Sequence, residues 1–185
     1  KNDLKEIKAS LRGVSLNLYA SSGVFSKRAV DKGTMLLIMS MIIKPGWKVL
    51  DIGCGTGIIG LFAGKLANSV PYLTDINKRA CLIAEKNAEM NSIEAIVFNG
   101  NLYEPVKNIK FDTILTNPPQ TAGKKVCFDI IEQSKSHLNK DGLFQLVARP
   151  NKGGKALSSK MVEVFGNVEI IAKKSGYAVY ISKNL

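Results

Sequence analysis

The chain has 185 residues, 45% of them hydrophobic and 22% charged, which fits one soluble globular domain with a full-sized core. No apolar run reaches the ~20 residues of a membrane span; the longest candidate is MLLIMSMII at 35–43, and the charged opening KNDLKEIKAS reads as no signal peptide. Three cysteines without a C-x-x-C pair argue against a disulfide framework or a zinc site and for a reducing, cytoplasmic setting, and one histidine, His137, makes histidine catalysis or metal binding an unpromising reading.

The net charge of +11 comes from 26 basic and 15 acidic residues, and its excess sits at the two ends. Residues 1–32 hold seven basic and three acidic side chains, residues 149–185 seven and two, and the longer middle, 33–148, twelve and ten. A basic surface attracts polyphosphates, although solubility alone would also account for it.

In chain order, GVSLNLYASSGVFS (13–26) reads as a strand and a loop. DKGTMLLIMSMII (31–43) is apolar nearly all round and reads as a buried helix, with Met35, Met39 and Met41 as core filler. From residue 45 on, strands alternate with helices. Strands are expected at 47–53, 70–75, 95–100, 111–117 and 142–149. Helices are expected at 57–67, 78–91, 124–138 and 153–165. A hairpin over 168–182 turns at Ser175-Gly176. Such alternation means an α/β, doubly wound, mostly parallel sheet, and the closing hairpin adds antiparallel strands at one edge. Trp47 and Phe111 begin strands and should pack. One domain over 1–185 is expected, with 1–44 as strand, lid and buried helix and 45–185 as the core.

VLDIGCGTGIIG (49–60) joins the first core strand to its helix. Ligands of open parallel sheets bind at the carboxyl ends of the strands, where glycines let the backbone turn sharply. Two readings compete. Gly55-Thr56-Gly57-Ile58-Ile59-Gly60 fits the dinucleotide fingerprint, with Asp75 to hold a ribose. Asp51-x-Gly53-x-Gly55-x-Gly57 puts an acidic residue before the first glycine, which suits a cationic ligand with an ammonium group better than a pyrophosphate. Cys54 lies inside this loop with nothing near to activate it as a nucleophile.

ILTNPPQT (114–121) ends the fourth core strand at Asn117. In a doubly wound sheet that strand lies beside the first, so Asn117 should stand next to the glycine loop. The Asn117 side-chain carbonyl and the Pro118 main-chain carbonyl are two acceptors for the N–H groups of an amine. Pro118 and Pro119 bring no competing donor, and Pro119 keeps residue 118 extended. Such a site would hold and orient an exocyclic amine by positioning and electrostatics.

The glycine loop and Asn117-Pro118-Pro119, in this order, resemble class I S-adenosylmethionine-dependent methyltransferases with an α/β Rossmann-like seven-stranded sheet. GVFS (23–26), DKGTMLL (31–37), TDINKRA (74–80), GNLYEPV (100–106) and FGNVEIIAKKSGYAVYISK (165–183) extend the resemblance to the catalytic domain of small-subunit ribosomal RNA guanine-N2 methyltransferases and their single-domain archaeal-type relatives. The resemblance implies S-adenosylmethionine as cofactor and ribosomal RNA or a small-subunit particle as partner. It implies that Asp51, Gly53, Gly55 and Gly57 hold the methionine part of the cofactor. Asp75 would bind the ribose, Ile76 would pack on the adenine, and Asn101 and Leu102 would flank it. Phe25, Lys32, Gly33 and Thr34 would form a lid, and Asn117 would bridge cofactor and target.

The sequence departs from the pattern at Gln120, where an aromatic residue usually stacks on the target base, and at Asn101, where an aspartate is common. Gln120, Lys124 and Lys125 are candidate substrate contacts, Gln120 through a base edge and the lysines through a phosphate. Bacterial relatives carry an additional N-terminal domain for which this chain is expected to lack room, so RNA capture should rest on its own basic ends, alone or with a partner. Methylation of tRNA, of adenine in nucleic acid or of a protein glutamine amide stays open, as does an inactive RNA-binding protein on the same fold.

Overall fold

A computed structural model describes residues 4–21, 30–119 and 123–185. The chain runs β1 (Leu4–Leu11), β2 (Val14–Ser21), α1 (Lys32–Ser40), β3 (Val49–Ile52), α2 (Ile58–Ala67), β4 (Tyr72–Asp75), α3 (Lys78–Met90), β5 (Ile96–Asn99), β6 (Phe111–Thr116), α4 (Lys124–Ser134), β7 (Leu138–Ala148), α5 (Gly154–Phe165), β8 (Glu169–Lys174) and β9 (Tyr177–Lys183). Seven strands form one sheet in the order β5-β4-β3-β6-β7-β9-β8. The strands from β5 to β7 are parallel, and β9 and β8 join antiparallel. This is the expected doubly wound, Rossmann-like sheet with its closing hairpin, and β6 pairs with β3 as the switch-point argument requires.

Burial explains the sheet's sequence. β3 is buried at every position, so its run of apolar residues does not alternate. On one face, Leu37, Ile38, Leu61, Phe62 and Ala84 of α1, α2 and α3 share a core; on the other, Ile130, Ile131, Leu157 and Met161 of α4 and α5 pack with Phe111 and Phe144. Buried Gln145 in β7 is satisfied twice over. It accepts from Ile42 N–H at 2.9 Å and donates to Ile42 O and Thr113 Oγ1, both at 2.9 Å, which fixes the chain leaving α1.

Of the strand and loop expected over 13–26, the strand is β2, residues 22–26 lie outside the described residues, and β1 ahead of it is an addition. β1 and β2 form a separate antiparallel ribbon, closed by Arg12 and Gly13 with φ of 54° and 79°. Two positive φ values in a two-residue turn match the twist of a hairpin. The Arg12 guanidinium donates to the carbonyls of Ile38 at 3.1 Å and Met41 at 2.8 Å, tying the ribbon to the end of α1.

The helix expected over 31–43 ends at Ser40 and is covered on one face only. Leu37, Ile38 and Met41 are buried, but Met35 and Met39 are 40% and 51% exposed. Met35 and Met39, four residues apart, share the stripe opposite the sheet, so they are not core filler. The helix expected over 124–138 ends earlier, and β7 starts at Leu138, pairing with Phe111 across an irregularity in the ladder. Trp47 is half-buried and precedes β3, whereas Phe111 opens β6 fully buried.

Candidate active site

Strands β5, β4, β3 and β6 end side by side at the carboxyl edge of the sheet. The Thr116 hydroxyl donates to Ile52 O at 3.0 Å and stitches the ends of β6 and β3 together. Past β3 the loop holds Gly53, Gly55 and Gly57 at φ of 69°, 55° and 90°, a left-handed backbone that side chains rarely adopt. The Asp75 carboxylate accepts from Gly55 N–H and Asn77 N–H, both at 2.8 Å, so the end of β4 braces this loop.

The glycines differ in what they permit. A Cβ on Gly57 would lie 2.9 Å from Leu73 and 3.1 Å from Ala84, so that position serves the close packing of α2 on β4 and α3. A Cβ on Gly53 would meet only Pro119 Cδ, at 3.8 Å, which puts the Asn-Pro-Pro turn directly over the loop.

Asp51 is buried at the end of β3. Its Oδ2 accepts from Gly60 N–H at 2.8 Å, while Oδ1 has no partner. Burial, opposed by the Gly60 N–H and reinforced by the negative Asp75, raises its pKa to about 7. Burial, and after it Asp51 and Asp75, pushes the Cys54 thiol well above its ordinary range. Cys54 is therefore a protonated packing residue, not a nucleophile.

Asn117 follows β6. Its amide nitrogen donates to Asp31 Oδ2 at 2.8 Å and to Thr34 Oγ1 at 3.0 Å. Asp31 is also the N-cap of α1: Oδ1 accepts from Gly33 N–H at 3.0 Å, and the Thr34 hydroxyl donates to Oδ2 at 3.1 Å. A cleft of about 440 Å³ opens here, lined by Asp31, Thr34, Gly53, Gly55 and Asn117 and walled by Asn77, Arg79 and Ile83 of α3 and the turn before it.

The structure thus brings Thr34, Gly53, Gly55 and Asn117 together at one cleft. Pro118 is buried beside them and Pro119 is exposed above Gly53. Asp51 and Gly57 lie in the packing around the loop and do not line the cleft. Asp75 ends β4 and Ile76, 70% exposed, follows it, while Asn101 and Leu102 come after β5, farther along the same edge. Lys32 is exposed outside the cleft, and Gly33 is buried against Tyr177 of β9, fixed in the first turn of α1. Lys125 pairs with Asp129 at 2.9 Å, and Lys124 lies over the Phe128 ring at 5.4 Å. Phe25 and Gln120 lie outside the described residues.

Sequence reasoning missed Asp31, Arg79 and Asn87. Asp31 carried a signal, since an aspartate before an apolar helix is an N-cap pattern. Asn87 is fully buried on α3. It holds Tyr19 of β2 through both backbone groups, at 2.6 and 3.0 Å, and donates to Thr56 O of the glycine loop at 2.9 Å.

Among the described residues, no helix is long and apolar enough to cross a membrane, and no cluster of three or more His, Cys, Asp or Glu could hold a metal.

Comparison with known proteins agrees with this fold. The chain is 36% identical over 181 residues to the protein YbxB of Bacillus subtilis, covering 95% of this chain and 89% of that one. It is 34% identical over 174 residues to ribosomal RNA small subunit methyltransferase C of Haemophilus influenzae, covering 91% of this chain but only 52% of the relative. The chain therefore spans about half the length of the curated ribosomal RNA methyltransferases it matches. Among solved structures, the 16S rRNA N2 methyltransferase (RsmC) of T. thermophilus, in complex with AdoMet and guanosine, shares the fold with a TM-score of 0.85 at 23% identity, over 100% of this chain and 52% of that one. The family model of the methyltransferase small domain matches residues 15–181, nearly the whole of the described fold. The chain belongs to the methyltransferase small-domain family.

Proposed function

We propose that the protein transfers a methyl group from S-adenosylmethionine to the exocyclic amine of a guanine in ribosomal RNA of the small subunit. The observation that carries this reading is the Asn117 amide. Its nitrogen is engaged by Asp31 and Thr34, so its carbonyl is the end left to face a donor. An amine offers N–H donors; a ring carbonyl does not.

The residues fit the cofactor. Asp51 stands behind the glycine loop that lines the cleft, and its Oδ1, buried without a partner, is the acceptor that the cofactor's ammonium group would use. Gly53 and Gly55 leave the loop open to the ligand, and Asp75, at the end of β4, would hold the ribose hydroxyls. When bound, S-adenosylmethionine supplies a methyl on a sulfonium centre, whose sulfur keeps the bond electrons as the methyl passes to nitrogen.

The chain's own groups orient the target. Asn117 Oδ1 and the Pro118 carbonyl accept the two amine protons and turn the nitrogen lone pair toward the methyl donor. Because acceptors also stabilise the positive charge that develops on nitrogen, they favour the transition state over the ground state. The spare proton leaves for solvent after transfer, so no general base is required at the nitrogen. The basic ends of the chain favour a polyanionic substrate over a protein amide. The Haemophilus influenzae relative is named for ribosomal RNA of the small subunit, which supports the same substrate class and a cytoplasmic reaction.

Incubation with methyl-labelled S-adenosylmethionine and unmodified small ribosomal subunits tests the reading, with Asn117→Ala as control. Label released as a methylguanosine, with wild type only, is the expected result. Cofactor binding without label in RNA would overturn the substrate assignment.

A further inference from the structure

Resting on the reading of Asn117 as the acceptor for a target amine, we infer that Asp31 is the positioning residue that fixes which end of the Asn117 amide faces the target.

An asparagine amide is nearly symmetric in shape, and rotation by half a turn exchanges its donor and acceptor ends. At Asn117 the exchange would reverse the chemistry, because an N–H₂ aimed at an amine offers it donors instead of an acceptor. Something must hold the side chain one way round.

The network around Asp31 does so. An ionised carboxylate accepts only. Asp31 Oδ1 is taken by Gly33 N–H, so the atom of Asn117 lying 2.8 Å from Oδ2 must be the nitrogen. The Thr34 hydroxyl gives its single proton to the same Oδ2 and so presents a lone pair to the second N–H of Asn117, at 3.0 Å. Both amide protons are then used, and Oδ1 is the end left over. Asp31 itself cannot swing away, since its other oxygen caps α1.

The two roles of Asp31 can be separated. Asparagine is as good an N-cap as aspartate, so Asp31→Asn keeps the helix start through its carbonyl oxygen. The carboxylate oxygen facing Asn117 becomes an N–H₂, and donor meets donor. Rotating the Asn117 amide relieves the clash and turns its N–H₂ toward the target.

The test compares wild type, Asp31→Asn, Thr34→Val and Thr34→Ser. It reads kcat and KM for methyl transfer to RNA, the Kd for S-adenosylmethionine, the melting temperature, and the Asn117 side-chain amide signal by NMR, assigned by its loss in Asn117→Ala. For Asp31→Asn the expected result is an unchanged melting temperature, a Kd within about threefold, and kcat lower on the order of 100-fold, the scale of one lost transition-state hydrogen bond. The Asn117 amide protons should also exchange faster with solvent, a change visible without substrate. Thr34→Val should lose part of kcat and Thr34→Ser should restore it.

Wild-type kcat in Asp31→Asn, or an unmoved Asn117 amide signal, would overturn the inference. So would a loss that follows cofactor Kd alone, which would make Asp31 a cofactor ligand. Failure of the proposed function looks different: the wild type itself would methylate no amine, while the amide signal still reports on Asp31.

Discussion

Tyr177 closes on Gly33: a Cβ at position 33 would lie 2.7 Å from the Tyr177 ring. The guanidinium of Arg149 covers the same ring at 4.6 Å. The first residue of β9 therefore presses on the first turn of α1, between its N-cap Asp31 and Thr34.

Gly33→Ala sets two effects against each other. Alanine favours a helix by up to about 1 kcal/mol over glycine, while forcing a methyl against a held ring costs about 1–3 kcal/mol. The clash should win, lowering the melting temperature by a few degrees and reducing methyl transfer. In a Tyr177→Ala background the sign should reverse, with Gly33→Ala stabilising. Thermal melts of the four proteins in this cycle check it.

Asp51 titrates at about 7 in the fold against an ordinary 3.8. Between these values the native state binds more protons than the unfolded chain, so stability is greatest at low pH and falls as pH rises to about 7, by on the order of 4 kcal/mol at most. Asp51→Asn should flatten this dependence in melts from pH 5 to pH 8. Cofactor affinity should run the other way in wild type and rise with pH as the carboxylate ionises to meet an ammonium. Titration calorimetry across the same range reads it, and the variant should bind weakly throughout.

Asn87→Leu leaves both Tyr19 backbone groups and Thr56 O without their partner inside the protein. Orphaned buried polar groups cost about 2–4 kcal/mol together, a fall of roughly 5–12 °C for a chain of this size. Because Thr56 lines the cleft, cofactor Kd should rise as well. Asn91 grips Asn17 the same way, at 2.7 and 2.9 Å, but in an exposed setting. Asn91→Ala should cost under about 1 kcal/mol.

Met41→Ala should cost about 2–5 kcal/mol, as core truncations do. Met39→Ala, on the open side of α1, should stay within about 0.5 kcal/mol. Denaturant unfolding of the two variants separates them.

These last two residues show what the sequence could carry. Composition marks α1 as apolar but does not say which face finds a partner; that depends on β7, β9 and α2, far away in the chain. The sheet from β3 to β9 was legible because strand–helix alternation and the preference for short, right-handed connections leave few orders. β1 was not, because its lysines and glutamate mask an alternation of Ile7, Ala9 and Leu11 that matters only once β2 pairs with it. The glycine loop and Asn117 could be placed together from their strands alone. The hold of Asp31 on Asn117 spans 86 residues, and no local pattern reports it.

The position of β9 has a consequence during synthesis. β8 precedes β9 in the chain, yet in the sheet it touches only β9, which lies between it and β7. A nascent chain emerged as far as Lys174 carries β8 with no ladder to join. Residues 177–183 then complete the pairing with β7 and β8 in one event. That same strand begins with the tyrosine that packs on Gly33, beside the two residues that hold Asn117. A ribosome-bound fragment that stops short of β9 would have its glycine loop and its Asn-Pro-Pro turn but neither a partner for β8 nor the ring that backs α1.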